Sequence, residues 1–324
     1  MLAGLAFKPR LLSAGDVMLP FPIIYGEGYD LNFGNHVFQT AKYRLVRELL
    51  LRRHVASAED FHVPVAATRE QLLTAHATHW ITRLENGRLN YHEILRLEVP
   101  YSRTMVQAAF LATGGSIEAA HQALQCRAAF NLGGGFHHAF HAHGEGFCPV
   151  NDIAVAIRVL QLEGRIVKAM VIDCDVHQGN GTAAIFADDD SVFTLSLHQS
   201  HNYPYEKPPS NLDVDLEDGV GDREYLTRLR RACEESFAAF EPELVIYVAG
   251  ADPFFDDQLG GLALSKEGLL IRDRIVFNAC LRHRVPVAVV LAGGYARYVE
   301  DTVEVHANTV VALLQSVREA EGIV

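Results

Sequence analysis

Asp175 and His177 are two residues apart. In an extended segment, residues i and i+2 point the same way, so a carboxylate oxygen and an imidazole nitrogen can reach one ion. That donor set suits Zn2+ or a similar divalent cation. Asp252 is the natural third ligand, and three protein ligands leave a position for water or substrate. Two carboxylates neutralise the cation, which then acidifies bound water less than an all-histidine site does. A separate general base is needed, and the tandem His137-His138 behind Gly133-Gly134-Gly135 offers one. Asp173 can ligate metal or orient a histidine by accepting from its ring N–H, and Asn180 can orient the second histidine. Tyr295, after two glycines, can place a phenol where negative charge develops on a carbonyl. A blander reading makes His137, His138, His141 and His143 a surface metal-scavenging tract. Glycines before the pair and Gly146-Phe147-Cys148 after it favour a shaped site.

The spacing of apolar residues says what must hold these groups. Runs at 128–132, 169–172, 192–197, 244–249 and 287–292 are mostly apolar and predict strands covered on both faces. Between them, 150–162 has helical spacing, Asp222 to Phe240 starts on a good capping residue, and Ser265 can cap a helix to about Arg282. Alternating strands and helices predict a parallel sheet with helices on both faces, an α/β fold. Each strand is followed by chemistry: His137-His138, Asp173 to His177, His198, Asp252, and Tyr295. Ligands bind outside the carboxyl ends of such strands, so one site at that sheet edge is expected.

No repeat or linker divides the 324 residues, and the weak candidate break, Pro204 to Asn211, reads as a loop; one domain over 1–324 is expected. With 49% apolar and 21% charged residues, disorder and fibrous repeats are excluded. No apolar run reaches the roughly 18 residues of a membrane span, and Met1 to Phe7 lacks the basic lead-in of a signal peptide. Five scattered cysteines without a Cys-x-x-Cys pair argue against a disulfide framework, so a reducing cytoplasm is the default. A net charge of −12 disfavours nucleic acid as partner.

Taken as a set, Asn131-Leu-Gly-Gly-Gly-Phe-His-His138, Gly146-Phe-Cys-Pro-Val-Asn-Asp152, Ile172-Asp-Cys-Asp-Val-His-Gln-Gly-Asn-Gly181, Ala249-Gly-Ala-Asp252 and Gly293-Gly-Tyr295 resemble the histone deacetylase family, including bacterial deacetylase-like amidohydrolases. The resemblance runs from about Tyr25 to the C-terminus. Asp175-x-His-Gln-Gly-Asn-Gly181, His201-Asn-Tyr-Pro204 and Asp257-Gln-Leu-Gly-Gly-Leu262 look like class IV. The resemblance implies a single arginase/deacetylase-like domain, with Zn2+ at the bottom of a narrow tunnel for acyl-lysine proteins or peptides. It puts Asp175, His177 and Asp252 on the zinc-ligand positions, His137 and His138 on the catalytic pair, Asp173 on the partner of the first histidine, and Tyr295 on the oxyanion-stabilising tyrosine. Gly146, Phe147 and Tyr203 match the tunnel walls. Structural K+ is implied too, at one site of Asp173, Asp175, His177, Ser196 and Leu197 and a second near Phe186, Asp189 and Val192.

Two departures stand out. Asn180 replaces the Asp that class I enzymes hold beside the second histidine, so His138 should be less basic than with a carboxylate partner. The family's N-terminal His-Pro-Phe pattern is here Asn35-His36-Val37-Phe38. A binuclear manganese ureohydrolase needs a further carboxylate two residues after His177, where Gly179 stands. An acetylpolyamine amidohydrolase and a non-catalytic acyl-lysine reader are the remaining alternatives; intact ligands, histidines and tyrosine speak against the reader.

Overall fold

The five apolar runs become strands because their Val, Ile, Leu and Ala side chains are buried on both sides of the pleat. The computed structural model describes residues 18–320 and Gly322; the Met1 to Phe7 stretch, read as no signal peptide, lies outside them. Among the described residues the strands are β1 (Ile23–Ile24), β2 (Phe61–His62), β3 (Ala128–Asn131), β4 (Ala169–Asp173), β5 (Val192–Gln199), β6 (Leu212–Leu216), β7 (Leu244–Val248) and β8 (Val287–Val290). They form one sheet, ordered β2-β1-β3-β8-β7-β4-β5-β6, with every neighbouring pair parallel.

The helices are α1 (Ala41–Arg52), α2 (Arg69–Leu72), α3 (Thr78–Asn86), α4 (Tyr91–Leu97), α5 (Arg103–Cys126), α6 (Asp152–Leu162), α7 (Asn180–Phe186), α8 (Asp222–Ala239), α9 (Lys266–His283) and α10 (Val299–Ala320). α5 packs on β3 and β8 and against α6, while α8, α9, α10 and α1 pack as successive neighbours. No described helix is long and apolar enough to cross a membrane. As expected, Ser265 caps α9 by accepting from Gly268 N at 2.9 Å. Asp222 does not cap α8. Gly221 holds that position, because the Asp222 carboxylate is taken by Ser265 N and Oγ at 2.9 and 2.6 Å.

Register is what makes a site. Asn131, Val290, Val248 and Asp173 lie side by side across β3, β8, β7 and β4. Four central strands therefore stop at one level, and their next few residues spill over the same edge. The fifth expected contribution is corrected. β5 runs on to Gln199, so His198 lies inside the strand, between Ser196 Oγ at 2.9 Å and the Asp215 carboxylate at 3.1 Å, and away from the cleft. The Pro204–Asn211 stretch is the expected loop between β5 and β6.

His76 ties the outer helices to this edge. Its Nδ1 donates to Phe140 O at 3.0 Å and its Nε2 accepts from Asn151 N at 2.8 Å, so the ring is held neutral. Burial lowers its pKa to about 4. An ordinary histidine titrates near 6.5, so the unfolded chain binds more protons between these values. The His76 contribution is therefore full above about pH 6.5 and lost as pH falls toward 4, on the order of 3 kcal/mol in all. His76→Gln should flatten the dependence of denaturant stability on pH in that window; an unchanged slope refutes this role.

Candidate metal centre and active site

The loop after β4 carries Asp175 and His177, and the loop after β7 carries Asp252. One ligand atom from each lies within 4.8 Å of the others, and all three residues are buried. Backbone donors fix the carboxylates. Asp252 Oδ1 accepts from Val176 N at 2.9 Å, and Asp175 Oδ2 accepts from Gly293 N at 2.8 Å. His177 Nδ1 lies 3.0 Å from Asp175 Oδ1 and 3.4 Å from Asp252 Oδ2. Asp252 Oδ2 itself is buried and has no hydrogen-bond partner among the described residues. Burial and the Asp175 charge push the Asp252 carboxyl up to about 7. Two carboxylates in mutual repulsion, an orphaned oxygen and an imidazole nitrogen facing one point fit a divalent cation, which satisfies all three.

The paired histidines stand beside this cluster. Gly134 and Gly135 both take positive φ, +79° and +76°, a region glycine occupies without strain. The buried Asp152 accepts from Gly135 N and Phe136 N at 3.0 and 2.7 Å, fixing the turn that presents the pair. The rings lie 4.0 Å apart, with their Nε2 atoms 3.1 Å from each other. His137 Nδ1 faces Asp173 Oδ2 at 2.7 Å, and His138 Nδ1 faces Asn180 Oδ1 at 2.7 Å. Burial disfavours charge on His137, yet Asp173 and Asp175 outweigh it and raise the ring to about 9. Burial and the neighbouring His137 hold His138 well below the usual range. The two environments thus pull apart: the Asp173 carboxylate favours charge on His137, while burial and the neighbouring ring disfavour it on His138.

Tyr295 shares one cleft with Phe38, His137, His138, Phe147 and His177. Its turn is tied down on both sides. Lys42 Nζ donates to Ala292 O at 2.7 Å, Tyr295 N donates to Asp257 Oδ2 at 2.6 Å, and Gln258 N and Nε2 donate to Tyr295 O at 3.1 and 2.9 Å. Lys42 is fully buried, with Nζ 5.4–5.6 Å from the rings of Phe38, Tyr43 and Tyr295; burial lowers it to about 8. Phe147 stacks on Phe38 at 5.7 Å, and the Tyr203 ring lies 4.9 Å from His138. A Cβ at Gly146 would press on His138 and on the Tyr203 hydroxyl.

Of the residues expected from sequence, the structure gathers Asp173, Asp175, His177, Asp252, His137, His138, Asn180, Tyr295, Gly146, Phe147 and Tyr203 around this cleft. Ser196 pairs in register with Asp173, so the first expected K+ set is contiguous. In the second set, Asp189 N donates to Phe186 O and Val192 N to Asp189 O, each at 3.1 Å, and Arg158 pairs with the Asp189 carboxylate at 2.5 Å. Lys42, Glu145, Asp257 and Gln258 were not singled out for the site. The Asp257-to-Leu262 motif held a signal for two of them; a lone Lys or Glu carries none.

Residues 36–311 match the histone deacetylase domain family. The chain is 39% identical over 287 residues to an uncharacterized protein of Picosynechococcus, covering 88% of this chain and 96% of that one. It is 32% identical over 300 residues to histone deacetylase 2 of Arabidopsis thaliana, covering 87% of this chain and 77% of that one. Among solved structures, an HDAC homolog from Aquifex aeolicus is similar with a TM-score of 0.76 at 26% identity, over 93% of this chain and 84% of that one. These likenesses bear out the expected arginase/deacetylase-like α/β fold.

Gly293 sits where a Cβ would collide with the carboxylates of Asp252 and Asp175. Gly293→Ala should therefore lower the metal bound per chain, measured by elemental analysis after zinc loading and desalting. Full stoichiometry in that variant would show that the carboxylates are not the ligands.

Proposed function

Because the chain belongs to the histone deacetylase family, we propose that it is a zinc-dependent amidohydrolase that removes acyl groups from the Nε of lysine in proteins or peptides. The observation that carries this reading is the neighbouring pair His137-His138, one ring held by Asp173 and the other by Asn180, beside three converging candidate ligands and a tyrosine. Asp175, His177 and Asp252 would hold Zn2+. A cation there supplies Lewis acidity, polarising the scissile carbonyl and acidifying the attacking water. His138, which burial disfavours as a cation, takes the water proton and later returns it to the leaving amine. His137, charged and paired with Asp173, stabilises the negative charge that builds up beside it. Tyr295 donates its phenol proton to the tetrahedral oxyanion. Gly146, Phe147 and Tyr203 flank the lysine side chain.

The single sheet of the described residues supports reading 1–324 as one deacylase domain. K+ is assigned to the Asp173, Asp175, His177, Ser196 and Leu197 set; at Phe186, Asp189 and Val192 the paired Asp189 carboxylate leaves only carbonyl oxygens to offer. The class IV motifs support that subclass, and cysteines with no disulfide among them suit the cytoplasm. Phe38 and Phe147 also border a small apolar cavity with Tyr29, Leu31, Met105 and Ala112.

Peptides bearing acetyl-, trifluoroacetyl-, octanoyl- and myristoyl-lysine should be cleaved by the zinc-loaded protein and spared after chelation. No release from any of the four by loaded protein refutes the hydrolase reading. Tyr295→Phe should bind zinc normally and lose roughly 10²–10³ in kcat, the usual cost of one oxyanion donor. Wild-type turnover in that variant would remove Tyr295 from the reaction.

A further inference from the structure

The Asn180 amide lies between two groups. Its Oδ1 is 2.7 Å from His138 Nδ1, and its Nδ2 is 2.7 Å from Glu145 Oε1. We propose that Glu145 is a positioning residue that selects the tautomer of His138 by fixing which way the Asn180 amide points. The proposal deepens the hydrolase reading and rests on it for its consequence in turnover.

Hydrogen-bond direction carries the inference. An ionised carboxylate only accepts, so the amide nitrogen must face Glu145. The amide oxygen then faces the imidazole, and because that oxygen only accepts, the His138 proton must sit on Nδ1. Nε2 keeps its lone pair, and Nε2 is the atom beside His137. Glu145 is well held in this role. Its Oε1 also accepts from the Tyr203 hydroxyl at 3.0 Å, and its Oε2 lies 3.3 Å from His143 Nε2. These hydrogen bonds outweigh burial and keep the carboxyl below its usual range.

Remove the negative charge and the constraint goes. A glutamine at 145 can present either its oxygen or its nitrogen, so the Asn180 amide is free to turn over. Turned over, its Nδ2 donates to His138 Nδ1, the proton moves to Nε2, and no lone pair remains for the attacking water. The carboxylate that class I relatives place directly on this histidine is thus present here at one amide's remove. Asn180 opens α7, and Glu145 lies 35 positions earlier in the chain, so no sequence spacing announces the pair.

Two measurements test this in the full-length chain. The first is 15N NMR of histidine-labelled protein, with the His138 signals assigned by their loss in His138→Ala. Wild type and Tyr203→Phe should show Nδ1 protonated, because both keep Glu145 on Asn180. Glu145→Gln should move the proton wholly or partly to Nε2. The same tautomer in wild type and Glu145→Gln overturns the proposal, whether or not the protein turns over any substrate. The second is kinetic. Glu145→Gln should lower kcat about 10–100-fold, as loss of an orienting partner does, with KM and bound zinc unchanged. In an Asn180→Asp background the effect should reverse. There Glu145 repels the new carboxylate, so adding Glu145→Gln should raise kcat. Equal losses in both backgrounds, or a loss under twofold in wild type, overturn the proposal. Absence of turnover in wild type itself counts against the hydrolase reading alone, and the NMR result still decides the tautomer.

Discussion

Two carboxylates buried side by side at the edge of a parallel sheet are the constraint around which this molecule is arranged. Asp175 and Asp252 repel each other where water cannot screen them, and burial adds to the cost. The fold offsets that cost in layers. Main-chain donors at Val176 and Gly293 occupy one oxygen of each. The buried Arg272 donates to Gly250 O and Cys174 O, just before Asp252 and Asp175, and is itself neutralised by Asp273 at 2.8–2.9 Å. Lys42 adds a positive charge from behind, held by a carbonyl and three aromatic faces. What remains unsatisfied among the described residues is Asp252 Oδ2, the atom a divalent cation would take.

Glycines set how closely these layers approach. A side chain at Gly293 would fall on the carboxylates of Asp252 and Asp175, and one at Gly179 would fall on Asp173 Oδ2, the partner of His137. Gly179 is the position where a ureohydrolase needs its bridging carboxylate. Here the space is taken by the His137–Asp173 pair, so the manganese rival fails on packing as well as on residue type.

The Asp257-Gln258 pair shows how a motif can act through main chain alone. Asp257 accepts from Leu259 N, Gly260 N and Tyr295 N, and Gln258 holds Tyr295 O. Neither side chain needs to meet a substrate to matter, because between them they fix the turn that presents the phenol. The division of charge between His137 and His138 follows the same logic, since each ring's state is set by what its far nitrogen meets.

From sequence alone, strand periodicity announced the parallel sheet, and the residues after the strands announced the side chains that meet in the cleft: Asp175, His177, Asp252, the histidine pair and Tyr295. Those signals are local: a strand covered on both faces is mostly apolar, and a Gly-rich turn is needed where backbone crowds a site. His198 misled because the end of a strand is set by its neighbour: β5 continues as long as β6 pairs with it. Lys42 and Glu145 were invisible for a related reason. Each acts on a residue far along the chain, 250 positions away for Lys42 and Ala292, and only folding creates those distances. Residue type and order chose the chemistry; register, burial and hydrogen-bond direction assigned each group its charge and its orientation.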